Sequence, residues 1–142
     1  MGIREFVRYV VLEIMAGRVS VVDAVYDYFV RNGGFGGVAE LASTYNLTRN
    51  QLRNYVQRAI EKAGGLSKAR IYVRLVVPIA KGIAKPVING DAKCSLCGAS
   101  VLAERAVHHI LENHRDVLEE QVERVIEELK RLCRACRGGY RG

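Results

Sequence analysis

Acid is what the middle of this chain lacks. Between Arg49 and Lys85 the sequence carries nine basic residues and a single acid, Glu61. Met1 to Lys93 holds 14 Lys and Arg against 7 Asp and Glu, while Cys94 to Gly142 holds 8 of each, so the whole net charge of +7 sits in the first two thirds. A field concentrated in this way draws polyanions, of which nucleic acid is the commonest. A second absence is any targeting or membrane segment. The apolar start, Phe6, Val7, Val10, Val11 and Ile14, is broken by Arg8 and Glu13, which suits neither a signal-peptide core nor a spanning helix. A cytoplasmic protein is therefore expected (host cytoplasm for a viral chain), with no membrane partner. Four cysteines in such a protein favour metal over disulfides.

Catalytic groupings are missing too. Beyond the first helix the basic part has only Asp23, Asp27, Glu40, Glu61 and Asp91 as acids, with no paired carboxylates near a histidine to hold a metal or activate a nucleophile. The glycines at 33, 34, 36 and 37 do not form a phosphate loop. They follow a helix instead of a strand, and no Lys-Ser/Thr comes after them. The expectation is a binding protein, with neither an enzymatic activity nor a small-molecule substrate. No internal repeat is visible.

What is present reads mainly as helix. Ile3, Phe6, Val7, Val10, Val11 and Ile14 recur at three-to-four spacing, and Gly17 ends that run. Ser20 can cap a second helix with Val21, Val25 and Phe29 inward. After the glycine connector comes a short helix over 38–45 and a longer one from Arg49 to Lys62, with Thr48 and Gln51 spaced as a capping box. Gly64 and Gly65 end it. Arg70 to Ile79, rich in Val and Ile, predicts a strand, and Val87-Ile88 its return. Helix is expected again from Leu102 to about Leu132, followed by an unstructured tail, 137–142. The fold class that results is mainly α: a helix-turn-helix, winged if the β-hairpin lies beside it, over 1–90, then a zinc-finger-like ββα segment and a C-terminal amphipathic helix over 91–142.

Helices can cross tightly where the contact residue is small and the turn accepts an unusual backbone. Ala42 is small, and Asn46 is of the non-glycine type that best tolerates positive φ. Leu41-Ala42, Asn46-Leu47, Leu52 and Tyr55 resemble the helix-turn-helix of bacterial and archaeal DNA-binding regulators, with Asn46 where those proteins usually carry Gly. The resemblance spans about twenty residues and implies a double-stranded DNA-binding module. At about 100° per residue, Asn50, Arg53, Asn54 and Gln57 form one stripe opposite Leu52 and Val56. Arg pairs with guanine and Asn or Gln with adenine through two hydrogen bonds each. Arg49 and Arg58 flank the stripe as phosphate contacts. Arg70 and Arg74, with Lys68, Lys81 and Lys85, would lie on the wing.

Cys94-Ser-Leu-Cys97 and His109 to His114 supply two thiolates and two imidazoles for one tetrahedral metal. The pattern resembles a two-cysteine, two-histidine zinc finger, with eleven residues between Cys97 and His109 where about twelve are usual. His108 is the alternative to His109. Four protein ligands leave no position for water, so the zinc is expected to be structural. Cys133 and Cys136 stay open. They suit a second site with another copy, a redox pair, a disulfide, or a four-cysteine site with Cys94 and Cys97. Leu118, Val122, Val125, Leu129 and Leu132 follow a heptad seam over two heptads, which suits either a homodimer or packing on the chain's own core. A helix-turn-helix with a finger in so short a chain resembles archaeal and archaeal-virus transcription regulators. The reading is a sequence-specific DNA-binding regulator and homodimer with structural zinc. The competing reading is a zinc-stabilised protein that coats nucleic acid without sequence preference.

Overall fold

The computed structural model describes residues 2–31 and 37–141, with side chains to residue 132. The glycine connector thus falls largely outside the described residues. The α-helices among them are, in order, α1 Ile3–Met15, α2 Val19–Arg31, α3 Val38–Thr44, α4 Arg49–Ala63, α5 Leu66–Ile83, α6 Ala106–Asn113 and α7 Arg115–Arg141. A 3-10 turn, Ala103–Arg105, leads into α6. α1 and α5 lie at the middle, α1 against α2, α4, α5, α6 and α7, and α5 against α1, α2, α4 and α7.

The apolar spacing that predicts α1 buries Phe6, Val7, Val10, Val11, Ile14 and Met15. α7 lays Leu118, Val122 and Val125 against the same core. The heptad seam is therefore spent largely inside the chain, and Leu132 at its end is left substantially exposed. α7 continues to Arg141, through the stretch expected to be an unstructured tail. α2 starts at Val19, a residue before the expected cap, Ser20.

The β-hairpin, and with it the wing, is not there. Among the described residues there is no strand, only the isolated antiparallel bridges Ile88 to Cys94 and Lys93 to Ser100. Residues 70–79 belong to α5, whose buried set is Ala69, Val73, Val76, Val77 and Ala80. That set repeats at helical spacing, and its alanines let neighbouring helices approach. Val and Ile density points to a strand because β-branched residues favour one, but burial on a single helical face overrides that weak preference. Gly64 and Gly65, at φ 91° and 136°, join α4 directly to α5. The ββα expectation for 91–142 fails in the same way, since each β element shrinks to a single bridge pair.

Candidate nucleic-acid interface and metal centre

α3 and α4 are joined by a tight turn, built through local chemistry that the sequence spells out. Asn46 adopts φ 58°, so the chain reverses without glycine. The Leu47 amide donates to the Ala42 carbonyl at 2.8 Å and the Asn46 amide to Ser43 at 3.1 Å, satisfying carbonyls that the end of α3 would leave open. Leu41 and Ala42 are buried. α4 then starts on a complete capping box: the Gln51 amide donates to Thr48 Oγ1 at 3.0 Å, and the Thr48 amide to Gln51 Oε1 at 2.9 Å. A further tie holds the turn. The Tyr45 hydroxyl donates to Asp27 on α2, and that bond, with burial, pushes its pKa up to about 12.

α4 buries Leu52, Val56, Ala59 and Ala63 against α1, α2 and α5. Its opposite face is left to solvent: Arg49, Asn50, Arg53, Asn54, Gln57 and Arg58 are all exposed. The Arg58 guanidinium stands 5.7 Å from the centre of the Tyr55 ring, a cation–π contact that restricts it to the edge of the stripe. Arg74 is exposed and Arg70 half-buried, both on α5. Both thus stand on a helix and not on a wing.

The second grouping is built on a tight knuckle. The Gly98 amide donates to the Cys94 carbonyl at 2.7 Å and the Cys94 amide to Ala99 at 2.9 Å, which turns Cys97 back over Cys94. Gly98 takes φ 77° to close it. α6 brings the imidazoles opposite. Cys94 Sγ stands 3.4 Å from His114 Nε2, and Cys97 Sγ 3.4 Å from His109 Nε2. All four donor atoms lie within 4.8 Å of one another. Zinc–sulfur bonds of about 2.3 Å and zinc–nitrogen bonds of about 2.05 Å at tetrahedral angles put sulfur and nitrogen about 3.5 Å apart. Both sulfur–nitrogen separations match a shared ion, and Cys94, Cys97, His109 and His114 could together hold a metal. His108 points elsewhere, with its Nε2 2.7 Å from Glu112 Oε1. The side chains of Cys133 and Cys136 lie outside the described residues.

Sequence reasoning misses most of what supports this centre. Asn113 Nδ2 donates to the His109 carbonyl at 3.1 Å and lies 3.3 Å from His109 Nδ1, orienting the ring from behind. The knuckle also hangs from α1. The Val87 and Ile88 amides donate to the Met15 carbonyl at 2.8 and 3.2 Å, and the Ser95 amide to Val87 at 2.8 Å. Gly17, at φ 89°, admits this approach, because a Cβ there would sit 2.8 Å from the Ile88 carbonyl oxygen. Arg18 completes the tie, donating to the Ala103 carbonyl at 3.1 Å and pairing with buried Glu13 at 3.3 Å. Asn113, one turn beyond His109, is the part of this support that helical spacing could have found. The rest depends on contacts between distant segments.

No protein-family model, no curated protein and no solved structure matches this chain. Among the described residues, no helix is long and apolar enough to cross a membrane.

Proposed function

We propose that this chain binds double-stranded DNA and reads its sequence with α4, as a regulator whose C-terminal part is clamped by a structural zinc ion. The observation that carries the reading is the exposed face of α4. Asn50, Arg53, Asn54 and Gln57 stand on one stripe with Arg49 and Arg58 at its margins. A helix serving only to pack would present mixed charge there, whereas this one has no acid before Glu61. The side chains offered are those that hydrogen-bond base edges in the major groove. On this reading α4, following the turn at Asn46, serves as the second helix of a helix-turn-helix. Arg49 and Arg58 supply phosphate contacts at its margins.

Zinc would be held by Cys94, Cys97, His109 and His114 and would supply a fixed tetrahedral cross-link between the knuckle and α6. Four protein donors leave no open position, so its part is to hold the fold.

The experiment is fluorescence anisotropy on a pool of random duplex DNA over a salt series, with sequencing of the bound fraction. Binding that weakens steeply with salt and enriches a motif supports the reading. Salt-sensitive binding without enrichment replaces it with a protein that coats nucleic acid. Absence of binding at low salt removes it.

A further inference from the structure

α5 has an outward face that no described residue covers. Taking 100° per residue, Ile71, Leu75, Pro78 and Gly82 fall within one narrow arc. Ile71 is 56% exposed and Leu75 50%, Pro78 is exposed, and a Cβ added at Gly82 would meet open space. A helix buries its apolar residues where it can, so an aliphatic stripe at i, i+4 and i+7 on the solvent side needs a partner. The stripe is rimmed by exposed Lys68, Arg74 and Lys85, with Lys81 paired to Asp23 of α2, and α5 contains no acid.

That charge decides the geometry of the partner. An antiparallel α5 pair about a two-fold axis, centred between Arg74 and Leu75, would bring Arg74 beside its own copy on the same rim, a contact of like charge. An acidic occupant suits that rim better than a second α5. The chain itself offers such a surface at the far end of α5. There Ile83 and the outer face of α7 bound an open cleft of about 620 Å³, lined by Glu120, Arg124 and Glu127 among others. Its lining carries the carboxylates of Glu120, Glu123, Glu127 and Glu128 against the guanidiniums of Arg124 and Arg131. Glu120 and Glu127 are both exposed. Among the described residues they form no ion pair, whereas Glu123 is taken by Arg4 and Glu128 by Arg131.

We infer that the α5 stripe of one molecule docks into the α7 cleft of a second copy of this chain, giving a head-to-tail assembly held by Ile71, Leu75 and Pro78 and by Lys and Arg against Glu120 and Glu127. A docked pair keeps one stripe and one cleft free, so the contact can repeat head to tail. The contact is the size of one helix face, below that of a stable obligate interface, so association is weak, concentration-dependent and loosened by salt.

The test uses the whole metal-loaded chain without nucleic acid, which leaves the reading of α4 untouched by its result. Sedimentation velocity is measured over roughly 10–500 µM, the range in which a contact this small associates, for the natural chain, Leu75→Glu and Glu127→Arg. Circular dichroism confirms that both variants are folded, and Ile71→Glu stands in if Leu75→Glu is not. The natural chain should grow in size with concentration and shrink at high salt, and each variant alone should stay monomeric. An equimolar mixture of the two should form dimers and stop, because only one intact stripe and one intact cleft remain. A natural chain that stays monomeric throughout overturns the inference. So does association that survives Glu127→Arg, or a mixture that stays monomeric while Leu75→Glu alone abolishes association, which would mean that the stripe pairs with itself.

Discussion

Arg53 stands exposed in the middle of the α4 stripe, between Asn50 and Gln57, and its guanidinium can grip guanine through two hydrogen bonds. Arg53→Ala should therefore cost about 1–3 kcal/mol in binding and relax preference at one base position. Anisotropy against the enriched duplex and its single-base variants measures both. A uniform loss across all sequences would instead make Arg53 a phosphate contact. Gly17 makes a different residue-scale prediction. With φ 89° and the Ile88 carbonyl oxygen 2.8 Å from where a Cβ would stand, Gly17→Ala meets both a disfavoured backbone and a clash. A loss of about 1–3 kcal/mol in urea unfolding is expected. A variant as stable as the natural chain would show that the segment around Ile88 yields easily.

Between elements, α1 and α7 are joined by a two-pronged ion pair: Arg8 Nε and an Arg8 terminal nitrogen reach the two Glu119 oxygens at 2.9 and 3.0 Å. The hydrogen bond from Arg8, with its charge, holds the Glu119 carboxyl below its ordinary value. The folded state thus binds the proton less tightly than the unfolded chain does. The contribution is complete above the ordinary carboxylate pKa and disappears as pH falls through the lowered one. Both side chains are about a third exposed, so solvent screening keeps the contribution to about 0.5–1 kcal/mol. Urea midpoints of the natural chain and Glu119→Gln should differ near neutral pH and converge as pH falls below the ordinary carboxylate range. A gap that stays constant across that range would mean the pair contributes no charge-dependent stability.

For the molecule as a whole, the metal centre shares its core with the helices. Cys94, Val101, Ile110, Leu118 and Val122 belong to the same buried cluster as Phe6 and Val11. Chelation should first deprotect amides over 93–114 by hydrogen exchange, since those residues have few helical bonds of their own. It should also lower the thermal midpoint of the entire chain by roughly 10 °C or more. Metal-free protein of undiminished stability would remove the structural role. A head-to-tail contact carries its own consequence for DNA. Copies related by translation along the duplex would read half-sites in one direction, so the enriched motif should recur as direct repeats and not as a palindrome. Sequencing the bound fraction checks this.

Local rules make several elements legible from residue order alone. Thr48 and Gln51 spell a capping box, Asn46 a positive φ, and the apolar steps of α1 and α4 their buried faces, because each depends on residues within a turn or two. The Cys94, Cys97, His109 and His114 grouping is legible for a similar reason, since metal chemistry constrains residue type and spacing together. α5 reads as a strand because Val and Ile serve a helix just as well once one face of it is buried, and only its neighbours decide that. Likewise, the seam of α7 suits a partner and this chain equally. α1 claims it, because the apolar face of α1 and the Arg8–Glu119 pair lie where Leu118 and Val122 come to rest. The basic, acid-poor middle, the turn at Asn46 and the donor set for a metal thus follow from residue order without help from packing. Which apolar stripes are spent inside, and which, on α5, are left facing solvent, is settled by packing alone. Burial is a property of surfaces brought together from distant parts of the chain, and for α5 and α7 the local pattern fits either outcome.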